Sequence, residues 1–159
     1  MAVIHAPQPL PAHPPAAPVA MAPPIELLLV EPQFLLRRTV AAVARDMRLA
    51  NPREITTIDQ AETLVSLHAF DALFLSLDEE AAALALMSRV RNGDTRCDRA
   101  VPMAVTAASC DTALALRLKQ LEVRRLVLRP FKVKGVLDAI VALRPPPVES
   151  AVQAASRSA

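Results

Sequence analysis

The stretch Phe70-Asp71-Ala72-Leu73-Phe74-Leu75-Ser76-Leu77 decides the fold. From Ala72 it is an apolar run without polar alternation, the pattern of a strand covered on both faces, and parallel sheets bury their strands in this way. The acidic residues Asp78, Glu79 and Glu80 follow at once. Carboxylates suit the start of a helix, where the backbone dipole favours negative charge. The chain therefore passes from a strand over 72–77 into a helix over roughly 79–91, with Ser76 as a small polar residue at the strand's end.

The same alternation extends in both directions. Ile25-Glu26-Leu27-Leu28-Leu29-Val30 is a second apolar run, stopped at Glu31-Pro32. Leu36, Val40, Val43 and Met47 recur at helical spacing, which predicts a helix over 32–49 with Arg37, Arg38, Arg45 and Arg48 largely on its wet side. A strand over 55–58 follows, and Asp59 is the expected N-cap of a helix bearing Ala61, Leu64 and Leu67. Beyond the central strand, 100–107 reads as a strand, 111–121 as a helix and 125–128 as a strand. Val133, Val136, Leu137, Ile140 and Val141 mark the buried face of a final helix. Five strand-helix units in about 120 residues imply a doubly wound α/β sheet, because parallel strands need helical crossovers.

The ends of the chain differ from this middle. Residues 1–24 carry eight prolines and no charge with histidine neutral. Proline lacks an amide donor and fixes φ, so this tract is expected to be an extended, disordered arm. It lacks the basic start and uninterrupted apolar core of a secretory leader, and no span is long and apolar enough to cross a membrane. Two readings stand for its PxxP spacings at Pro11/Pro14 and Pro15/Pro18: a contact for an aromatic groove, or a solvated spacer. Residues 145–159 open on three prolines and trail off in small and polar residues, a second disordered tail. One domain over 25–144 with two tails is thus the expected organisation of the 159 residues, 53% of them hydrophobic. Cys97 and Cys110 give neither a disulfide framework nor zinc-ligand spacing, and read as free thiols of a reducing, cytoplasmic compartment. A formal charge of +2 excludes a polyelectrolyte built for nucleic acid.

Several phrases, in order and at the right intervals, resemble the receiver domain of bacterial response regulators. They are Leu28-Leu29-Val30-Glu31-Pro32, Phe70-Asp71-Ala72-Leu73, the passage from Arg91 to Val101-Pro102-Met103, and Leu121-Glu122-Val123-Arg124-Arg125-Leu126-Val127-Leu128-Arg129-Pro130-Phe131. The resemblance covers 25–144 and implies a flavodoxin-like five-stranded parallel sheet of order 2-1-3-4-5, with helices on both faces. It also implies which residues occupy the phosphorylation pocket, and here they depart from the family. Ser76 stands where the family carries its phosphorylated aspartate; the alternative, a shifted alignment with Asp78 or Glu79 in that role, is disfavoured because both lie past the strand end, in the helix-capping region. Of the paired acidic residues after the first strand, which with that aspartate hold Mg²⁺, only Glu31 is present, beside Pro32. Arg129 corresponds to the family's phosphoryl-pairing lysine, with a planar fork in place of a point charge. The switch hydroxyl corresponds to Thr106 or, counted strictly from Pro102, to Ala107, and the rotating aromatic corresponds to Leu126. The resemblance thus implies a degenerate pseudo-receiver with a vestigial pocket of Glu31, Pro32, Ser76, Thr106 and Arg129, no metal and no cofactor. Glu31 and Arg129 are expected either to pair across that pocket or both to face water.

Charge gives the positive clue to function. Residues 25–80 hold 5 basic and 10 acidic side chains, whereas residues 81–144 hold 12 basic and 5 acidic. Arg117, Lys119, Arg124, Arg125, Lys132 and Lys134 are the candidates for a basic binding surface, which attracts acidic proteins or phosphates; the alternative is an ordinary solvated surface. The expected function is a non-enzymatic, phosphorylation-independent signalling adaptor whose partner is a signalling protein: a histidine kinase, a phosphotransferase, or a motor or output protein. The second reading is an effector whose arginines grip an anionic nucleotide such as a cyclic dinucleotide. DNA binding ranks third, since no helix-turn-helix fits in the tail.

Overall fold

The computed structural model describes residues 22–145; the expectations for the rest of the proline-rich arm and for the C-terminal tail fall outside them. Its elements are β1 (Ile25–Val30), α1 (Phe34–Asp46), β2 (Ala50–Ile55), α2 (Ile58–Leu67), β3 (Ala72–Ser76), α3 (Glu80–Asn92), β4 (Met103–Ala107), α4 (Thr112–Gln120), β5 (Arg125–Leu128) and α5 (Val133–Leu143). The strands form one parallel sheet of order β2-β1-β3-β4-β5, as the family resemblance implied.

Because side chains alternate across a strand, each central strand feeds two cores. Leu27 and Leu29 of β1 and Phe74 of β3 pack with Val40, Ala41 and Ala44 of α1 and Val136, Ala139, Ile140 and Leu143 of α5. On the other face Leu28, Leu73, Leu75 and Val105 meet α2, α3 and α4. The β3 residues are buried throughout, which explains the unbroken apolar run that marked them.

Several boundaries differ from the sequence reading. The second strand lies at 50–55, and Ile58 is the first residue of α2. Asn51, Pro52, Arg53 and Glu54 hide this strand because it is an edge strand. The carbonyls of Leu49 and Ile55 bond inward to β1, whereas that of Pro52 points outward and accepts from Arg45, at 3.3 Å. Proline's missing donor thus lies on the free edge, where no ladder bond is lost. Thr57, not Asp59, caps α2, its hydroxyl accepting from the Gln60 amide. Val133 and Val141 are exposed and Ala139 and Leu143 take their places in the core. Met47 and Leu67 are likewise exposed near the ends of their helices, and β4 begins only at Met103.

Candidate functional site

The C-terminal ends of the strands bring the pocket residues together. Glu31 follows β1, Ser76 ends β3, Thr106 lies in β4 directly opposite Ser76, and Arg129 follows β5. Alternation places the first three on the sheet face shared with α1 and α5, and all three are buried. Ala107 points into the opposite core, so the hydroxyl in the pocket is that of Thr106. Leu126 is half-buried against that opposite core. Pro32 is exposed and its carbonyl accepts from Arg37, at 3.3 Å.

The ion pair expected between Glu31 and Arg129 is not formed, nor do both groups face water. Glu31 is 3% exposed. Its Oε1 accepts from the Gln33 amide at 2.9 Å and its Oε2 from the Thr106 hydroxyl at 3.4 Å. Burial pushes its carboxyl above the ordinary range, and the nearby Asp78 charge adds to this, against the lowering by the Gln33 amide and Arg129. Arg129 instead makes a two-pronged pair with Asp78, one guanidinium nitrogen donating to Oδ2 at 3.1 Å and the other to Oδ1. That bonding holds the Asp78 carboxyl below its usual value and raises the guanidinium. The Asp78 amide also donates to the Ser76 hydroxyl, at 3.3 Å.

Asp78 is the residue that sequence reasoning misplaced. Read as part of a helix-capping acidic run, it lies two residues before α3, whose N-cap, Glu79, makes no side-chain cap bond. It ties the end of β3 to the end of β5. Only its position two residues beyond Ser76 hinted at this, since nothing in a local pattern reports a partner 51 residues away.

The remaining pocket is open, about 470 Å³, and lined by Gln33, Leu36, Asp78, Ala108, Arg129 and Pro130. It does not fit the Mg²⁺ that the resemblance would place there. A hard cation needs several free oxygen ligands, but Asp78 is engaged by Arg129 and Glu31 already accepts two hydrogen bonds. Among the described residues no group of three or more His, Cys, Asp or Glu could hold a metal.

The six basic residues are spread from α4 through β5 to the start of α5. Lys132 immediately precedes α5, without a side-chain cap bond, and Lys134 lies in its first turn, at the pocket end of β5. Arg125 begins β5, and Arg124 just before it donates to the Ala142 carbonyl at the end of α5, at 3.0 Å. Arg117 reaches from α4 to the Ser88 hydroxyl of α3, at 3.0 Å, while Lys119 stays exposed in the last turn of α4. The described cysteines are both free, and among the described residues no helix is long and apolar enough to cross a membrane.

Comparison with known proteins supports the fold. No family model matches, and no curated protein does. Among solved structures, a response regulator from Thermotoga maritima shares 18% identity over 77% of this chain and 98% of its own, with a TM-score of 0.64. The chemotaxis response regulator CheY4 of Vibrio cholerae shares 12% identity over 76% of this chain and 99% of its own, at a TM-score of 0.66. The non-phosphorylated HemR receiver domain from Leptospira biflexa shares 22% over 79% and 99%, at 0.64. The chain thus has the receiver fold of response regulators, a five-stranded parallel α/β sheet.

Proposed function

We propose that this chain is a pseudo-receiver: a phosphorylation-independent, non-enzymatic signalling adaptor that works by docking proteins. The observation that carries the reading is the Asp78–Arg129 pair. In the family the cation at this position meets the phosphoryl group; here an internal carboxylate already occupies it, next to a serine that cannot form the acyl phosphate. The protein then holds one state without a phosphate, and its partner is a histidine kinase, phosphotransferase or output protein that reads that state. Arg124, Arg125, Lys132 and Lys134 are exposed cations of the β5–α5 side; Arg125, Lys132 and Lys134, which carry no hydrogen bond to the described residues comparable to that of Arg124 with Ala142, are assigned to this docking. The nucleotide reading has less support, because Arg117 and Arg124 are engaged by Ser88 and the Ala142 carbonyl and the chain's only Phe, Tyr or Trp residues are four phenylalanines.

The test is an affinity measurement against purified members of the three partner classes, with and without acetyl phosphate. A partner should bind equally well in both conditions and lose affinity when Arg125, Lys132 and Lys134 are replaced together by glutamate. Binding that appears only with acetyl phosphate would overturn the proposal.

A further inference from the structure

The side of α1 facing β2 carries more positive charge than the fold uses. Three guanidiniums converge on the single carboxylate of Glu54: Arg37 at 4.0 Å, Arg38 at 3.5 Å and Arg45 at 3.1 Å. Arg37 is structural. It is largely buried, lies 5.6 Å from the Phe34 ring centroid, and donates to the Glu31 carbonyl at 2.8 Å. Arg38 and Arg45 are different, with side chains 58% and 48% exposed. One carboxylate against three guanidiniums leaves an excess of two positive charges. Asp46, the acidic residue of α1 itself, lies about 100° further round the helix from Arg45, towards its solvent apex.

An apolar anchor adjoins these charges. Phe34 and Leu35 open α1 and are 68% and 73% exposed, the two most exposed large hydrophobic side chains among the described residues. Phe34, Arg38 and Arg45 follow one stripe of the helix, and the two arginines, two turns apart, are spaced by about 10.5 Å. The neighbouring edge of β2 cannot accept an added strand there, since Pro52 offers no donor and Arg45 covers its carbonyl.

We infer that the α1–β2 face docks an acidic amphipathic helix of a partner protein: two carboxylates two turns apart meet Arg38 and Arg45, and an apolar residue beyond them covers Phe34 and Leu35. A helix laid along α1 repeats at the same spacing as Arg38 and Arg45, so its carboxylates meet both, and charge complementarity selects an acidic one. The inference rests on the docking-module reading but uses a surface on the opposite edge of the sheet from β5.

The probe is an alanine-based helical peptide with two glutamates two turns apart and a leucine one turn beyond each, titrated into the full chain and followed by NMR. Shifts should centre on α1 and β2. The Arg38→Glu/Arg45→Glu protein, or Arg38→Gln/Arg45→Gln if the first fails to fold, should bind at least about tenfold more weakly. Exchanging the peptide's glutamates for lysines should restore binding to the Glu variant. Unchanged affinity in the folded double variants would overturn the inference. Loss of binding only in Lys132→Glu/Lys134→Glu would also overturn it, while leaving the docking-module reading standing. No binding by the parent chain would count against the α1 site directly, and if the partner panel above were also negative, both readings would fall.

Discussion

Replacing Asp78 by alanine removes the side chain that both terminal nitrogens of Arg129 donate to, and leaves a guanidinium that is 13% exposed without that partner. Two limits bracket the cost. Exposed ion pairs contribute about 0.2–1 kcal/mol, whereas stripping one partner from a fully buried pair costs about 3–5 kcal/mol. Arg129 lies near the buried limit and Asp78, at 32% exposed, nearer the surface limit. A loss of about 2 kcal/mol follows, which in a domain of this size lowers Tm by roughly 8 °C. Urea denaturation of Asp78→Ala, Arg129→Met and the double variant measures the coupling directly, expected at about 1.5 kcal/mol. A coupling below about 0.3 kcal/mol, within the additivity of independent sites, would refute the claim that this pair joins the ends of β3 and β5.

Three further outcomes follow from the same geometry. Glu31 has a raised carboxyl, so its contribution is present below the unfolded value of 4.5 and is lost as pH rises through the folded one; Glu31→Gln should gain stability relative to the parent as pH rises above 4.5, and a difference that does not change with pH would count against it. Asp78 has a lowered carboxyl, so the stabilisation it gives is present above its unfolded value of 3.8 and fades as pH falls through the folded one; the coupling just described should weaken as pH falls below 3.8, and a coupling independent of pH down to acid unfolding would contradict the ion pair. Arg91 donates to the carbonyls of Leu121, Arg99 and Val101 at 2.8, 2.8 and 2.7 Å, pinning α3 to the entries of β4 and β5. Its replacement by alanine should cost about 3 kcal/mol in urea denaturation by orphaning those acceptors, and a loss under about 1 kcal/mol would show that they rebond to water.

The fold was legible where burial dictates composition. The runs in β1 and β3 announce themselves because both faces of those strands are covered, and β5 was placed to the residue. The edge strand β2 was not, since an edge can carry Asn51, Pro52 and Arg53, and its only long-range signature is pairing with β1. In the site, Glu31, Ser76, Thr106 and Arg129 were found by family resemblance and do converge. Their bonding was not readable, because Asp78 and Arg129 are joined by topology across the sheet. The charge count likewise flagged the second half of the chain without showing that Arg117 and Arg124 are tied to Ser88 and Ala142. It also passed over α1 and β2, where a first half that is acidic on balance gathers three arginines around Glu54.

The central claim, a receiver fold without phosphoryl chemistry, is tested most directly by intact-mass spectrometry after incubation with acetyl phosphate and Mg²⁺. The account predicts an unchanged mass, because Ser76 cannot form the acyl phosphate and the carboxylates of Asp78 and Glu31 are engaged by Arg129, Thr106 and the Gln33 amide. A stoichiometric phosphoryl adduct mapped to Asp78 or Glu31 would contradict it.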